Sequence, residues 1–301
     1  MLTNTSKLGF SCTAPFPAAR CSDPCPLLMQ PHFFLKVKST ICLSLERKEI
    51  LSGMLHSNTI GFQTFSYARH LSSSCARILD LECTPKSVCF EKANVMLEIV
   101  PIGIDTENLF DPPKKNPKAI EQQESIARLY HGKKIIFGKD TLDIVSGIMQ
   151  KLVAFDQFLS MYPEWKMRVV LIQVIASYSS NYPSLESKVA EKVSQINAKH
   201  GSIEFSPIVL YRPPPPSSLP TSPQSSLGDE EELFSALMKM SDLGLVTVIR
   251  DGMNTTALEY ISCQKEKKSP LILSEFAGAA SSISGAIQIN PWNTYDVAHQ
   301  I

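Results

Sequence analysis

The segment RDGMNTTALEYISCQ, residues 250–264, places an Asp-Gly-Met-Asn turn between an apolar run and a helix-like stretch. Gly252 allows a ligand to approach the backbone closely, and a helix that starts after Asn254 directs free amide groups toward an anion. Glu259 follows about one and a half helical turns later, where its carboxylate can accept hydrogen bonds from sugar hydroxyls. Such turns also serve simply to enter a helix, with the carboxylate solvated. Residue types and spacing therefore leave two interpretations open, a sugar-binding turn and a helix-entry turn.

The elements around this turn follow a regular alternation. From Lys133 onward, short apolar runs alternate with longer amphipathic segments, which is typical of βα repeats and a parallel sheet. The predicted strands are KKIIFG, RVVLIQVIA, PIVLY, LGLVTVI, PLILSEF and AIQIN. In such a sheet, the loop that leaves the carboxyl end of a strand and enters a helix faces the ligand crevice. The RDGMN turn lies in that position.

The predicted fold class is α/β, with two Rossmann-like domains built on parallel sheets. Residues 1–30 contain scattered Pro, Ser and Cys and are expected to be poorly ordered. Residues 31–114 are expected to form a partial N-terminal Rossmann-like domain that ends at a proline hinge. Residues 115–301 are expected to form the C-terminal Rossmann-like domain, interrupted by a Pro/Ser-rich surface loop at 213–228.

Composition excludes several function classes. The 29 basic and 29 acidic residues cancel and form no long block of like charge, so we expect no nucleic-acid partner. Among the eight cysteines only Cys21 and Cys25 are close together, and His56, His70 and His131 lack metal-ligand spacing, so we expect reduced thiols and no metal site. No run approaches the roughly 18 apolar residues of a membrane span. These features predict a soluble, cytoplasmic protein without a membrane partner.

Four segments carry a more specific signal and occur in order along the chain: GFQTFSYARHLSSSCARIL, PIGIDTENLF, RDGMNTTALEYISCQ and SPLILSEFAGAASSISGAIQINPWN. Together they resemble the trehalose-6-phosphate synthase family of glycosyltransferases over about residues 32–301. The GMNTT and KSPLILSEF segments are most similar to those of regulatory subunits of fungal trehalose synthase complexes. The resemblance implies a GT-B architecture, with two Rossmann-like domains facing a cleft and nucleotide sugar held mainly by the C-terminal one. It also implies that the N-terminal domain is truncated here and that the chain stops before a helix that returns to that domain.

The resemblance further implies a reaction and a donor site. Active members of the family transfer glucose from UDP-glucose to glucose-6-phosphate with retention of configuration, without a metal ion or another cofactor. By analogy, the donor-binding residues are Asp251, Gly252, Met253, Asn254, Thr255 and Glu259. The first five would approach the donor glucose and its diphosphate, and Glu259 would hold the ribose.

Several positions depart from the pattern of active members. These carry an Arg-Leu-Asp-Tyr-x-Lys-Gly motif, whose counterpart is TLDIVSG, residues 141–147, with Thr141 in place of Arg and Ser146 in place of Lys. Lys36 stands in place of a His that faces the donor sugar, and Ser180 lies at about the position of an Arg that grips the acceptor phosphate. A hydroxyl stabilises a leaving diphosphate poorly compared with a cation. We therefore expect that none of the family's catalytic residues is intact.

Lys139 is a nearby cation, two residues before Thr141, and we do not expect it to replace the lost ones. The favoured hypothesis is a synthase-like protein of trehalose biosynthesis that is weakly active or inactive. It would act as a regulatory or structural subunit beside other subunits of a trehalose synthase/phosphatase complex. The alternative is an active UDP-forming trehalose-6-phosphate synthase that uses UDP-glucose and glucose-6-phosphate. A third hypothesis is a domain that senses nucleotide without turnover, with weak affinity because charge-assisted contacts are missing.

Overall fold

The computed structural model describes residues 26–28, 47–91, 93–106, 124–126, 128–175, 182–212 and 225–301; for residues 26–28 and 225–232 this covers the backbone only. The chain divides into two compact units. The first comprises Met1–Gly103 with Arg250–Met253, and the second comprises Ile104–Ile249 with Asn254–Ile301.

The first unit contains a four-stranded sheet in the order β1-β2-β4-β3. Its described elements are β1 (Pro26–Leu28), α1 (Arg47–Met54), β2 (Thr59–Phe62), α2 (Phe65–Leu79), β3 (Ser87–Phe90) and β4 (Ala93–Ile99). Strands β1, β2 and β4 are parallel, whereas β3 forms an antiparallel hairpin with β4. Sequence analysis did not predict this hairpin, which adds an antiparallel edge to an otherwise parallel sheet.

Helical and strand periodicity build the core of the first unit. Helix α2 buries Tyr67, Ala68, Leu71 and Cys75, which recur at helical spacing on one face. Strand β4 alternates between buried residues such as Val95 and exposed residues on its other face. These side chains form one apolar cluster with those of α1, β2 and β3.

The second unit is a six-stranded sheet in which all strand pairs are parallel. Its described elements are β5 (Lys134–Asp140), α3 (Ile148–Met161), β6 (Val169–Ile175), α4 (Pro183–His200), β7 (Ile208–Tyr211), α5 (Ser225–Met240), β8 (Leu243–Val246), α6 (Thr255–Cys263), β9 (Leu271–Ser274), β10 (Ile287–Ile289) and α7 (Thr294–Gln300). The strand order is β10-β9-β8-β5-β6-β7. Read from β7 as positions along the chain, this is 3-2-1-4-5-6, the order of dinucleotide-binding Rossmann folds.

Helices cover both faces of this sheet. One apolar cluster joins the sheet to α3, α4 and α7, and a second joins it to α5 and α6. Every residue of β6 is buried, as its continuous apolar run predicts. The predicted βα alternation is therefore confirmed as a doubly wound parallel sheet.

Helix α5 begins within the segment that composition predicts to be a Pro/Ser-rich loop. Residues 213–224 lie outside the described residues, and α5 begins at Ser225, before Gly228. The loop predicted at 213–228 from its Pro/Ser-rich composition thus overlaps the first four residues of α5, Ser225 to Gly228. A single glycine costs only about 1 kcal/mol in a helix, which the rest of a long helix offsets.

Asp156 on α3 ties that helix to α4. Its carboxylate accepts hydrogen bonds from Lys192 at 3.0 Å, Lys199 at 2.8 Å and His200 at 2.9 Å. Burial alone raises the pKa of Asp156, but the hydrogen bonds from Lys199, His200 and Lys192 outweigh burial and hold that pKa well below its ordinary 3.8. The cluster is an electrostatic clamp between two helices on one face of the sheet.

Candidate functional site

The strand order of the second unit reverses between β5 and β8. These strands pair through Ile136 with Leu243 and Phe137 with Gly244, so their carboxyl ends lie side by side. Open α/β sheets bind ligands outside the carboxyl ends of their strands at this reversal. Two loops start there: residues 141–147, which lead into α3, and residues 247–254, which lead into α6. Both contain positions that sequence analysis singled out.

Hydrogen bonds within the 141–147 loop centre on Asp143. The Thr141 hydroxyl donates to Asp143 Oδ2 at 2.9 Å, and the Ser146 amide donates to Asp143 Oδ1 at 2.7 Å. The Ser146 hydroxyl donates to the Asp143 carbonyl oxygen at 3.0 Å. The two positions that sequence analysis compared with the family's Arg and Lys therefore hold hydroxyls bonded to this loop's own acidic residue.

Gly147 joins this loop to the chain that follows β8. Its φ is +75°, and a Cβ at this position would lie 1.8 Å from the Thr247 carbonyl oxygen, so only glycine fits. The Thr247 hydroxyl donates to the Gly147 carbonyl oxygen at 3.1 Å, and the Ile249 amide donates to the Val145 carbonyl oxygen at 2.9 Å. These contacts hold the end of the 141–147 loop against the start of the 247–254 loop.

A buried ion pair lies at the end of β5. Lys151, in the first turn of α3, is fully buried and donates to Asp140 Oδ2. The Gln173 side-chain amide donates to the same oxygen at 2.8 Å. Gly138 makes room for them, since a Cβ there would lie 2.7 Å from both Lys151 Nζ and Gln173 Oε1. This network anchors the start of the 141–147 loop.

The buried pair was not predicted from the sequence, because a helical lysine usually extends to solvent. A signal was present in the spacing. Lys151 lies three residues after Ile148 and one before Leu152, both of which face the core, so it occupies the apolar stripe of α3.

The second loop carries the predicted donor-binding residues Asp251, Gly252, Met253, Asn254 and Thr255 in consecutive positions before and at the start of α6. Asp251 Oδ1 accepts from the Gly252 amide at 2.7 Å. Asn254 Oδ1 accepts from the Ala257 amide at 2.8 Å and is the N-cap of α6. Asn254 therefore serves helix entry through its side chain.

Within the first unit, Tyr67 fixes the backbone of Asp251. The Tyr67 hydroxyl donates to the Asp251 carbonyl oxygen at 2.7 Å. Burial, followed by the negative charge of Asp251, raises the pKa of Tyr67 to about 12, while Arg250 acts in the opposite direction. The hydroxyl therefore stays protonated and remains a donor at physiological pH.

Glu259, the predicted ribose-binding carboxylate, lies on α6 and forms an ion pair with Lys139 of β5. Lys139 Nζ donates to Glu259 Oε2 at 2.9 Å, and the two side chains are 20% and 19% exposed. Lys139 Nζ also lies 5.6 Å from the centre of the Phe234 ring on α5, within cation–π range. Glu259 is therefore not simply a solvated helix residue.

The 141–147 loop and the two ion pairs beside it together carry one net negative charge. Lys139 is bound to Glu259, and Lys151 is bound to Asp140. The loop itself carries one charged side chain, the carboxylate of Asp143. This arrangement does not offer a positive surface for a diphosphate at the positions that sequence analysis compared with the family's Arg and Lys.

Two predicted positions, Lys36 and Ser180, lie outside the described residues. Within the part of the chain that the structure describes, no group of three or more His, Cys, Asp or Glu side chains is arranged to hold a metal ion. Among the described helices, none has the length and apolar character needed to cross a membrane.

Comparison with known proteins identifies the family. The model of glycosyltransferase family 20 matches residues 36–301. This chain belongs to glycosyltransferase family 20. It is 43% identical over 259 residues to the UDP-forming alpha,alpha-trehalose-phosphate synthase A of Dictyostelium discoideum, a match that covers 85% of this chain and 33% of the relative.

Two further relatives extend the comparison. The 56 kDa subunit of the Saccharomyces cerevisiae UDP-forming alpha,alpha-trehalose-phosphate synthase is 43% identical over 260 residues, or 85% of this chain and 49% of the relative. The solved N-terminal domain of Candida albicans trehalose-6-phosphate phosphatase superposes with a TM-score of 0.76 at 36% identity, over 92% of this chain and 57% of that one. The chain thus spans about half or less of the two synthase relatives.

These similarities confirm the predicted family and the predicted α/β, GT-B-like fold class with Rossmann-like units. They establish synthase-like family membership, whereas the roles of the donor-binding residues remain predictions.

Proposed function

We propose that this family 20 protein serves trehalose biosynthesis in the cytoplasm as a regulatory or structural subunit with little or no synthase activity. The observation that supports this proposal is that the side chains at 141 and 146 are hydrogen-bonded within their own loop. Thr141 and Ser146 both bond to Asp143, at the positions where active relatives are expected to carry cations.

The chemistry of glucosyl transfer explains why these positions matter. As glucose leaves UDP-glucose, negative charge develops on the diphosphate, and preorganised donors or cations stabilise it. Removing a single such donor typically costs about 10²–10³ in kcat. Replacing two cations by hydroxyls removes this attraction, while the carboxylate of Asp143, at the position of the motif's own Asp, remains. A rate far below that of active relatives follows.

Lys139 does not make up this loss. Its ammonium is held by Glu259 on one side and lies near the Phe234 ring on another. Releasing it toward a diphosphate would leave Glu259 without its partner in a partly buried setting. The nearby Lys151 is fully buried against Asp140 and is no substitute either.

The names of two relatives support a role within a larger assembly. The S. cerevisiae relative is named as a 56 kDa subunit, and the C. albicans relative is the N-terminal domain of a protein named for trehalose-6-phosphate phosphatase. Proteins similar to this chain thus include a named subunit and the N-terminal domain of a named phosphatase. The partners we propose are accordingly other subunits of a trehalose synthase/phosphatase complex.

A second candidate function, an active UDP-forming trehalose-6-phosphate synthase, is favoured by the Asp251–Thr255 turn and by Glu259. Its donor would be UDP-glucose and its acceptor glucose-6-phosphate. It requires groups other than the side chains at 141 and 146 to stabilise the diphosphate.

Turnover by the purified full chain separates the two functions. UDP release from UDP-glucose and glucose-6-phosphate is measured for wild type, for Thr141→Arg/Ser146→Lys, and for a control with equal added charge at two exposed serines, Ser194→Lys/Ser206→Arg. We expect no release above background for wild type and for the control. Wild-type turnover similar to that of the S. cerevisiae 56 kDa subunit would overturn the proposal.

A separate measurement tests the proposed regulatory role. The wild-type chain is added in increasing amounts to the S. cerevisiae 56 kDa subunit, and the synthase rate and the sedimentation of the mixture are followed. A change in rate that saturates, together with a heavier complex, is the expected result. An unchanged rate and separate sedimentation would exclude this type of partner.

A further inference from the structure

The Lys139–Glu259 ion pair joins two elements that both border the switch point of the sheet. Lys139 is the last residue but one of β5, and Glu259 lies in the second turn of α6. Their atoms meet at 2.9 Å, although 120 residues separate them in sequence. The pair therefore exists only because the fold brings the first and fourth strands of this unit side by side.

The surroundings favour the closed pair. Both side chains are about four-fifths buried, so water screens their attraction less than it would on the surface. The Phe234 ring lies 5.6 Å from the ammonium and adds a cation–π contact. Cys263, one turn after Glu259 on α6, contributes a thiol whose pKa is raised by burial, so it remains uncharged beside the pair.

From this geometry we infer that Lys139 is a specificity-determining residue that opposes nucleotide binding by occupying the Glu259 carboxylate. The inference rests on the proposed role of Glu259 as the ribose acceptor. Ribose hydroxyls are neutral donors, whereas the ammonium of Lys139 adds the attraction of a full opposite charge to its hydrogen bond with the carboxylate. Lys139 therefore competes with the ribose hydroxyls for Glu259 Oε2, and a ribose that bonds to this oxygen must displace it.

The displaced ammonium would also lose its partner in a site that is only one-fifth exposed. That loss reduces nucleotide affinity further, because an unpaired, partly buried charge is unfavourable. Lys139 thus acts in the same direction as the substitutions at 141 and 146, but through the ribose rather than through the diphosphate. If Lys139 were instead a diphosphate ligand, its removal would have the opposite effect.

Titration calorimetry distinguishes these two directions. UDP is titrated into Thr141→Arg/Ser146→Lys protein, which supplies the missing cations, with and without Lys139→Met. Methionine keeps the apolar stem beside Phe234 and removes the charge. We expect Lys139→Met to tighten UDP binding about tenfold, the gain from releasing one charge-assisted contact. Unchanged or weaker UDP binding, or no binding by the triple variant, would overturn the inference.

Two matched controls assign the effect to the ribose. With Glu259→Gln in the same background, Lys139→Met is expected to have no further effect on UDP affinity, because the carboxylate that Lys139 occupies is gone. With inorganic pyrophosphate, which lacks a ribose, Lys139→Met is expected not to tighten binding. An equal gain for pyrophosphate and UDP would refute the ribose assignment.

Folding and function are checked separately. Lys139→Arg keeps a cation near Glu259 and is expected to leave UDP affinity close to that of its parent, while thermal melting confirms that each variant is folded. Robust wild-type turnover of UDP-glucose would defeat the proposed function but would leave the UDP titrations to judge Lys139. Failure of Lys139→Met to tighten UDP would defeat the inference while leaving the turnover result intact.

Discussion

Replacing Lys151 with Met tests the foundation of the candidate site. The Lys151 and Asp140 side chains are 0% and 2% exposed, and Asp140 also accepts a hydrogen bond from the Gln173 side-chain amide. Methionine matches the length of the lysine stem but leaves the Asp140 carboxylate buried without its cation. Breaking a buried pair by removing one partner costs roughly 3–5 kcal/mol, because the remaining charge is uncompensated.

The size of the effect can be measured by urea unfolding of the full chain. We expect Lys151→Met to lower the free energy of unfolding by about 4 kcal/mol and the melting temperature by roughly 10 °C, at about 2–4 °C per kcal/mol for a domain of this size. The double variant Asp140→Asn/Lys151→Met is expected to recover part of this loss, since it buries no unpaired charge.

A surface pair provides the control. Lys199 also bonds to a carboxylate, that of Asp156, but its side chain is 56% exposed. Lys199→Met is therefore expected to cost less than about 1 kcal/mol. If Lys151→Met cost no more than Lys199→Met, the buried pair would not anchor the loop as we describe.

Three further predictions follow from individual contacts. Gly147→Ala should lower the free energy of unfolding by more than the roughly 1 kcal/mol that a positive φ costs a non-glycine residue, because the new Cβ would collide with the Thr247 backbone. Denaturant unfolding measures this change, and a decrease below about 1 kcal/mol would contradict the prediction. In the same assay, Asn254→Ala should lower the free energy of unfolding by about 1 kcal/mol, because the N-cap of α6 is lost. Asn254→Asp keeps an acceptor oxygen and should be about as stable as wild type. Equal destabilisation by the two substitutions would contradict this prediction. The basic partners of Asp156 depress its folded-state pKa below 3.8. The contribution of the Asp156 carboxylate to folding stability is therefore complete above that pH and is lost as pH falls through the lowered pKa. The stability difference between wild type and Asp156→Asn should thus stay constant from neutral pH to about pH 5 and shrink below about pH 4, and a difference that grows with acidity would refute this sign.

Apolar periodicity was sufficient to predict most of the second unit. The fully buried β6 and the helices on both faces follow directly from continuous and amphipathic runs. The β3–β4 hairpin was missed because its turn lacks the usual Asn-Gly or Asp-Gly signal, and Glu91 adopts a φ of 47° there instead.

The candidate site was predicted only in part. Position along the chain was enough to place the RDGMN segment in a loop after a strand. Contacts such as Lys139 with Glu259 and Lys151 with Asp140 depend on which strands become neighbours and on which way each side chain faces. Local spacing does not determine these long-range pairings, because tertiary packing selects them.

The most direct measurement of the central claim is calorimetric titration of UDP into the wild-type chain and into Thr141→Arg/Ser146→Lys. If the diphosphate site has lost its cations, wild type shows no measurable heat of binding at roughly millimolar UDP, while the variant binds. Wild-type binding as tight as that of the variant would contradict the account, because the side chains at 141 and 146 would then not decide whether the donor is held.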